Sequence, residues 1–158
     1  MPEAKFPPIA ELLPHGSRAI LLEHVISHDA ATTVCAVDPA AGAHYRDADG
    51  ALPACIGLEI MAQTIAAHGG LLDRAAGREA RPGFFLGSRR LALAVPRFEA
   101  GQRLVATATH LRGSSGLLAF DCSIRVEGDV PAPLASGVLT VYLLESFEAL
   151  TRDFATEN

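Results

Sequence analysis

Two hydrophobic periods alternate along the chain. Residues 9–13 carry a short helical pattern that Pro14 stops, because proline has no N–H to continue a helix. Residues 19–26 (AILLEHVI) are mostly apolar and predict the start of a strand; residues 32–37 (TTVCAV) are β-branched and predict a second. Residues 38–50 (DPAAGAHYRDADG) read as a long polar loop from their Pro, Gly and Asp content, and loops of that length are often functional. Pro53 then opens the longest helical candidate, about residues 56–76, in which Leu58, Ile60, Met61, Ile65, Leu71 and Leu72 leave hardly any polar face. A helix apolar on every side is a buried one. After Gly77 come four strand-like segments, residues 84–95, 103–111, 117–126 and 134–144, with Arg112-Gly113-Ser114-Ser115-Gly116 as a hairpin connection between the second and third. The order predicts an α+β fold, one long buried helix against a curved antiparallel sheet.

Composition narrows the class. The chain has 158 residues, 49% of them apolar and 20% charged. That suits a single domain over residues 1–158, with its core at about 10–144 and a tail at 145–158, and it excludes intrinsic disorder. A net charge of −5 argues against nucleic acid as the main partner. Three cysteines are too few, and odd in number, for a disulfide scaffold. Glu59, Gln63, Thr64, His68 and the Gly69-Gly70 pair interrupt the most apolar stretch, so no membrane span is expected. The first residues, Met1-Pro2-Glu3-Ala4-Lys5, lack the basic start and apolar run of a signal peptide, which predicts a cytoplasmic protein. The apolar fraction is high for so small a chain, and something must cover it.

Chemistry enters with Glu59, a carboxyl in the first turn of the apolar helix. Burial there would favour its neutral form and suit it to proton transfer, against the plain alternative of a helix-start carboxylate that meets the dipole or solvent. Gln63 lies four residues on, on the same face, placed either to bond Glu59 and line its pocket or to satisfy nearby backbone. His44, in the long loop between Ala43 and Tyr45, is the candidate base that a loop can deliver to a pocket. His15, after Pro14 in a turn, is expected to make a structural hydrogen bond. His68 stands nine residues past Glu59, on the opposite helical face, which predicts no shared site. His110 is expected to be exposed on its strand. His24 and His28 have metal-pair spacing but no third ligand, so no metal is expected. Cys55 reads as a buried, inert thiol rather than a nucleophile. Arg89 and Arg90 are adjacent on a strand and face opposite ways, so they do not form one anion clamp.

The ordered segments resemble one family. The leader Leu12-Leu13-Pro14-His15-Gly16-Ser17-Arg18 and the helix motif Gly57-Leu58-Glu59-Ile60-Met61-Ala62-Gln63 are similar to the hot-dog-fold β-hydroxyacyl-ACP dehydratases. More narrowly, Asp47-Ala48-Asp49-Gly50, Glu59, Gln63 and Ala67-His68, with Phe85-Leu86-Gly87-Ser88-Arg89-Arg90, resemble the aryl-polyene-pathway subgroup. The resemblance implies a hot-dog fold, a long central helix wrapped by a curved antiparallel sheet of about five to six strands. It also implies a homodimer, or a heterodimer with another hot-dog protein, in which each site lies at the interface and combines the loop of one chain with the helix Glu of the other. The implied reaction is dehydration of a 3-hydroxyacyl thioester to the trans-2-enoyl thioester, with no metal or resident cofactor. The substrate would ride on the phosphopantetheine of an acyl carrier protein or on CoA. In that scheme Glu59 is the acid and His44 the base. Gln63 and the helix start at Pro53 and Gly57 bind the substrate, a backbone N–H there polarising the thioester. The family's His-Phe-Pro segment reads His44-Tyr45-Arg46 here, and its Pro-Gly pair reads Pro53-Ala54. A hot-dog thioesterase and a non-catalytic subunit completing a partner's site are the alternatives.

Overall fold

The computed structural model describes residues 5–128 and 132–146. Residues 147–158, most of the expected tail, lie outside the described residues. The long helix α2, Gly57–Ala75, forms within one residue of the predicted bounds and is entered through a 3-10 turn, Ala54–Ile56. Its apolar sequence is explained by what surrounds it: the concave face of a six-stranded antiparallel sheet. The strands are β1 Leu22–His28, β2 Thr32–Val37, β4 Gly83–Leu93, β6 Leu104–Ser114, β7 Leu117–Val126 and β8 Ala135–Leu143, in the order β1-β2-β6-β7-β8-β4. This is the hot-dog arrangement. Two two-residue strands, β3 Leu52–Pro53 and β5 Arg97–Phe98, pair beneath the start of α2; neither is long enough to show a period in the sequence.

One hydrophobic core runs between α2 and the sheet. It contains Ile60, Met61 and Ala67 from the helix and Ala106, Phe120, Ile124 and Leu139 from the strands. By length and hydropathy the segment Ala54–Ala75 passes as a candidate membrane span, but it is the core helix and the sheet wraps it. The segment after Pro8 packs back on this helix. The short helix α1, Ile9–Leu12, crosses α2 at Gly70, where a Cβ would stand 2.6 Å from the Leu12 carbonyl oxygen. Only glycine permits that approach. Beyond the helix, fully buried Asp73 accepts hydrogen bonds from the Arg78 guanidinium (2.8 Å) and from the Arg81 backbone (3.1 Å) and side chain (3.0 Å), which fastens the turn leading to β4.

The predicted five-residue hairpin connection is tighter than expected. Strands β6 and β7 continue to Ser114 and from Leu117, and Ser115 (φ 54°) with Gly116 (φ 94°) makes the turn. Two successive residues at positive φ match the twist of the flanking strands.

Strand β4 is the sheet's outer edge beside β8, and nearly all of it is exposed on both faces, including Phe84, Phe85, Leu86, Leu91 and Leu93. It is irregular. Its register with β8 shifts between Phe85 and Gly87 and again between Arg89 and Ala92, and Arg90 sits at φ 54°.

Candidate active site

Glu59 lies in the first turn of α2, on a face continued by Ala62, Ala66 and Gly69 at helical spacing. Because those three residues are small, the face is a groove rather than a ridge. Together with Phe84 and Phe85 of β4, Phe120 of β7 and Val141 of β8 it encloses a cavity of about 410 Å³. Glu59 and Gly69 are ten residues apart, so the cavity extends ~15 Å along the helix. The size and apolar walls suit an extended hydrocarbon chain, with a carboxyl group at one end of it.

The full burial expected for Glu59 is not observed: its side chain is 42% exposed in this chain. One carboxylate oxygen is nonetheless held. Gln63 Nε2 donates to Glu59 Oε1 at 2.9 Å. Gln63 is itself fully buried; its Nε2 also donates to the Ala19 carbonyl (2.7 Å) and its Oε1 accepts from the Leu21 N–H (2.8 Å). Both alternatives for Gln63 therefore hold at once, since it bonds Glu59 and satisfies backbone. It does not line the cavity, so it positions Glu59 instead of touching the chain that fills the groove.

His15 departs from expectation. Its Nε2 lies 3.6 Å from Glu59 Oε1, and it lines the cavity beside Pro14. The expected structural hydrogen bond is not found among the described residues: Nδ1 is buried with no partner there. The leader delivers this histidine. Glu11 pairs with Arg74 (3.1 Å), Leu12 abuts Gly70, and residues 19–21 bond Gln63, so the segment runs back along α2 toward the helix start. Nothing in local spacing relates His15 to Glu59, forty-four residues away; the shared Pro-His turn was the only signal.

His44 is elsewhere. It is exposed, in a 3-10 turn at Ala43–Tyr45, with its ring 3.9 Å from the Tyr45 ring, and it does not line the cavity of its own chain. Pro53 and exposed Cys55 line a separate, shallow depression with Leu93, Val95 and Pro96; the thiol expected to be buried is on the surface. Gly57 is buried against Phe98 and Ile124, where a Cβ would sit 3.3 and 3.2 Å from their side chains, so it serves packing of the helix start. Thus Glu59 and Gln63 come together, while His44, Pro53 and Gly57 do not join them within one chain.

Two further histidines reach the cavity against expectation. His110 is half-buried rather than exposed, and its Nε2 is enclosed with no hydrogen-bond partner among the described residues. His68 lines the cavity as well, with Ile65 and Leu72 from the adjacent stripe of α2. His68 does sit half a turn round the helix from Glu59, but the groove spans more than one face and runs far enough to reach both. They share a cavity without meeting. Fully buried Thr33 bridges His68 Nδ1 (2.8 Å) and His28 Nδ1 (2.7 Å), and the His68 ring meets Phe120 edge-on. Burial, with the neighbouring His28 and His110 imidazoles, pushes His68 down to about 4. Burial also raises the thiols of Cys35 and Cys122 to about 12, so neither is a nucleophile. Among the described residues no group of three His, Cys, Asp or Glu side chains converges as a metal site would require.

Comparisons agree with this architecture. A family model described as ApeP-like, ApeP dehydratase, matches residues 7–152. The dehydratase heterocomplex ApeI:P from Xenorhabdus doucetiae contains a chain 26% identical to this one, with a TM-score of 0.84 over 93% of this chain and 97% of that one. A mutant of the phenylacetic acid degradation protein PaaI from Thermus thermophilus shares 18% identity and a TM-score of 0.55, covering 77% of this chain and 92% of its own. A mutant thioesterase from Pseudomonas aeruginosa shares 12% and a TM-score of 0.53, covering 78% and 82%. The last two show likeness of fold alone. No curated protein sequence matches the chain.

Proposed function

The chain belongs to the ApeP-like dehydratase family, and from that premise we propose that it removes water from a 3-hydroxyacyl thioester carried on a phosphopantetheine arm, leaving the trans-2-enoyl thioester. The observation that carries this reading is a carboxyl group, Glu59, held by buried Gln63 at one end of an elongated apolar cavity. Elimination of water needs a proton delivered to a poor leaving group, and a carboxylic acid fixed at one oxygen can deliver it from the other. Glu59 Oε2 accepts no hydrogen bond from the described residues, so it is available to the departing hydroxyl. The remaining cavity takes the acyl chain. Acyl carrier protein is the proposed donor of the thioester, and the cytoplasm the proposed place.

A second hot-dog chain is the proposed partner. The exposed β4 edge offers an unpaired row of backbone donors and acceptors flanked by five large apolar side chains, and Phe84 and Phe85 also wall the cavity. A strand added there would extend the sheet and cover the cavity wall together. The similarity to one chain of a dehydratase heterocomplex supports a hot-dog relative as that strand's source.

The test uses the chain co-purified with its hot-dog partner and a 3-hydroxyacyl thioester, following the enoyl product by absorbance. Glu59→Gln, which keeps the Gln63 contact, should lower kcat by roughly 10²–10⁴-fold. Full activity in that variant would mean that the chemistry resides in the partner and that this chain only completes its site.

A further inference from the structure

The dehydration proposed above requires a base as well as an acid, and the family resemblance would assign that role to His44. The structure offers a different candidate. His44 is exposed, packed on the Tyr45 ring and away from the cavity of its own chain, so that scheme needs it from a partner, whereas His15 of the same chain lines the cavity with its Nε2 3.6 Å from Glu59 Oε1. We propose that His15 is the base of this reaction, so that one chain carries both its acid and its base. This rests on the dehydratase reading and deepens it.

Three observations support the assignment. The first is spacing. In a 3-hydroxyacyl thioester the proton to be removed and the hydroxyl to be lost sit on adjacent carbons, so acid and base must stand side by side. A gap of 3.6 Å is longer than a good hydrogen bond, so the two groups are neighbours without tying up each other's proton. The second is the state of the ring. A histidine retained for structure satisfies its surroundings, yet His15 Nδ1 is buried with no hydrogen-bond partner among the described residues. A buried ring nitrogen left without a protein partner is unusual, and its persistence calls for another role. The third is how the ring is placed. Leu12 and Leu13 are buried, Pro14 ends the helix, and Gln63 pins residues 19–21, so the turn that carries His15 is fixed on both sides to the helix that carries Glu59.

The step balances without any further reactant. His15 Nε2 takes the proton from the α-carbon, and the C–H electron pair becomes the new carbon–carbon double bond. The bond from the β-carbon to oxygen breaks, and the Glu59 carboxyl proton joins the departing hydroxyl, which leaves as water. An imidazolium and a carboxylate then face each other, and one proton passing back restores both. Gln63 acts through Glu59 and is a positioning residue.

The experiment compares His15→Gln, His44→Ala and Glu59→Gln in the co-purified complex, measuring kcat and the pH profile of kcat/KM. His15→Gln should lower kcat by roughly 10²–10⁴-fold, at least tenfold more than His44→Ala, and should remove the acidic limb that the base contributes. A purely structural role would leave that limb in place. His15→Asn serves as a second variant, and far-ultraviolet circular dichroism with retained partner binding establishes that each is folded. Wild-type-like kcat with the acidic limb intact in both His15 variants, or the larger loss in His44→Ala, would overturn the assignment while a Glu59→Gln loss left the dehydratase reading standing. A wild-type complex that forms no enoyl product would instead remove the reading itself.

Discussion

Replacing His68 by Asn should flatten the acid side of this protein's stability curve. The imidazole is only 2% exposed, and burial foremost, then His28 and His110, holds it down at about 4, against 6.5 for a free histidine. The folded chain therefore refuses a proton that the unfolded chain accepts between those two values. Stability is intact above about pH 6.5 and falls as the pH drops toward 4, where the loss is complete. At 1.36 kcal/mol per unit, the gap of about 2.5 units amounts to roughly 3 kcal/mol, of which about 2–3 kcal/mol is already lost by pH 4.5. Asn places a polar atom where Nδ1 stood, so it can keep the Thr33 contact of 2.8 Å without titrating. It forfeits packing against Phe120, a cost of roughly 1–2 kcal/mol that is the same at every pH. Urea unfolding of both proteins at steps from pH 7 to 4.5 measures the difference of the two curves, in which His28, lowered in the same direction by burial, largely cancels. Parallel loss of stability in wild type and variant would refute the reasoning, because it would mean that His68 is protonated in the folded state.

Two further substitutions probe the support of the site. Gln63→Leu leaves the Leu21 N–H and Ala19 carbonyl without their partner and frees Glu59, so it should cost about 2–4 kcal/mol in urea unfolding and reduce kcat with little change in KM. Gly70→Ala forces its methyl group to within 2.6 Å of the Leu12 carbonyl, so α1 must move; thermal unfolding should show a loss of about 1–3 kcal/mol, and activity should fall with it because the displaced leader carries His15.

Much of the fold was legible in the sequence, for identifiable reasons. Strand β2 is rich in β-branched residues, strand β7 is bounded by the Gly116 turn, and helix α2 is one long apolar run after Pro53, so their bounds fall within a residue of expectation. The two-residue pair β3 and β5 has no period to read. Glu59 and Gln63 were visible as a pair because four residues on a helix is a local relation. The surroundings of His15, His68 and His110 are not legible in the sequence because they come from distant segments: the leader folding back on α2, and the sheet closing over the groove. The sequence also showed an apolar fraction that is high for a small chain. Part of it, Phe84 to Leu93, is on the surface of a strand that has no neighbour on one side among the described residues.

The irregularity of that strand has its own consequence. A long, flat, apolar edge invites stacking of chain upon chain without end. Here the two register shifts and the left-handed Arg90 bend the strand out of plane at fixed positions, so its hydrogen-bonding groups do not form one straight row. An incoming strand must carry kinks at complementary places, a condition that arbitrary extended chain fails. The edge is therefore a poor template for a flat strand of arbitrary sequence, and the same kinks that break its register lower the risk that so apolar a segment seeds a fibre.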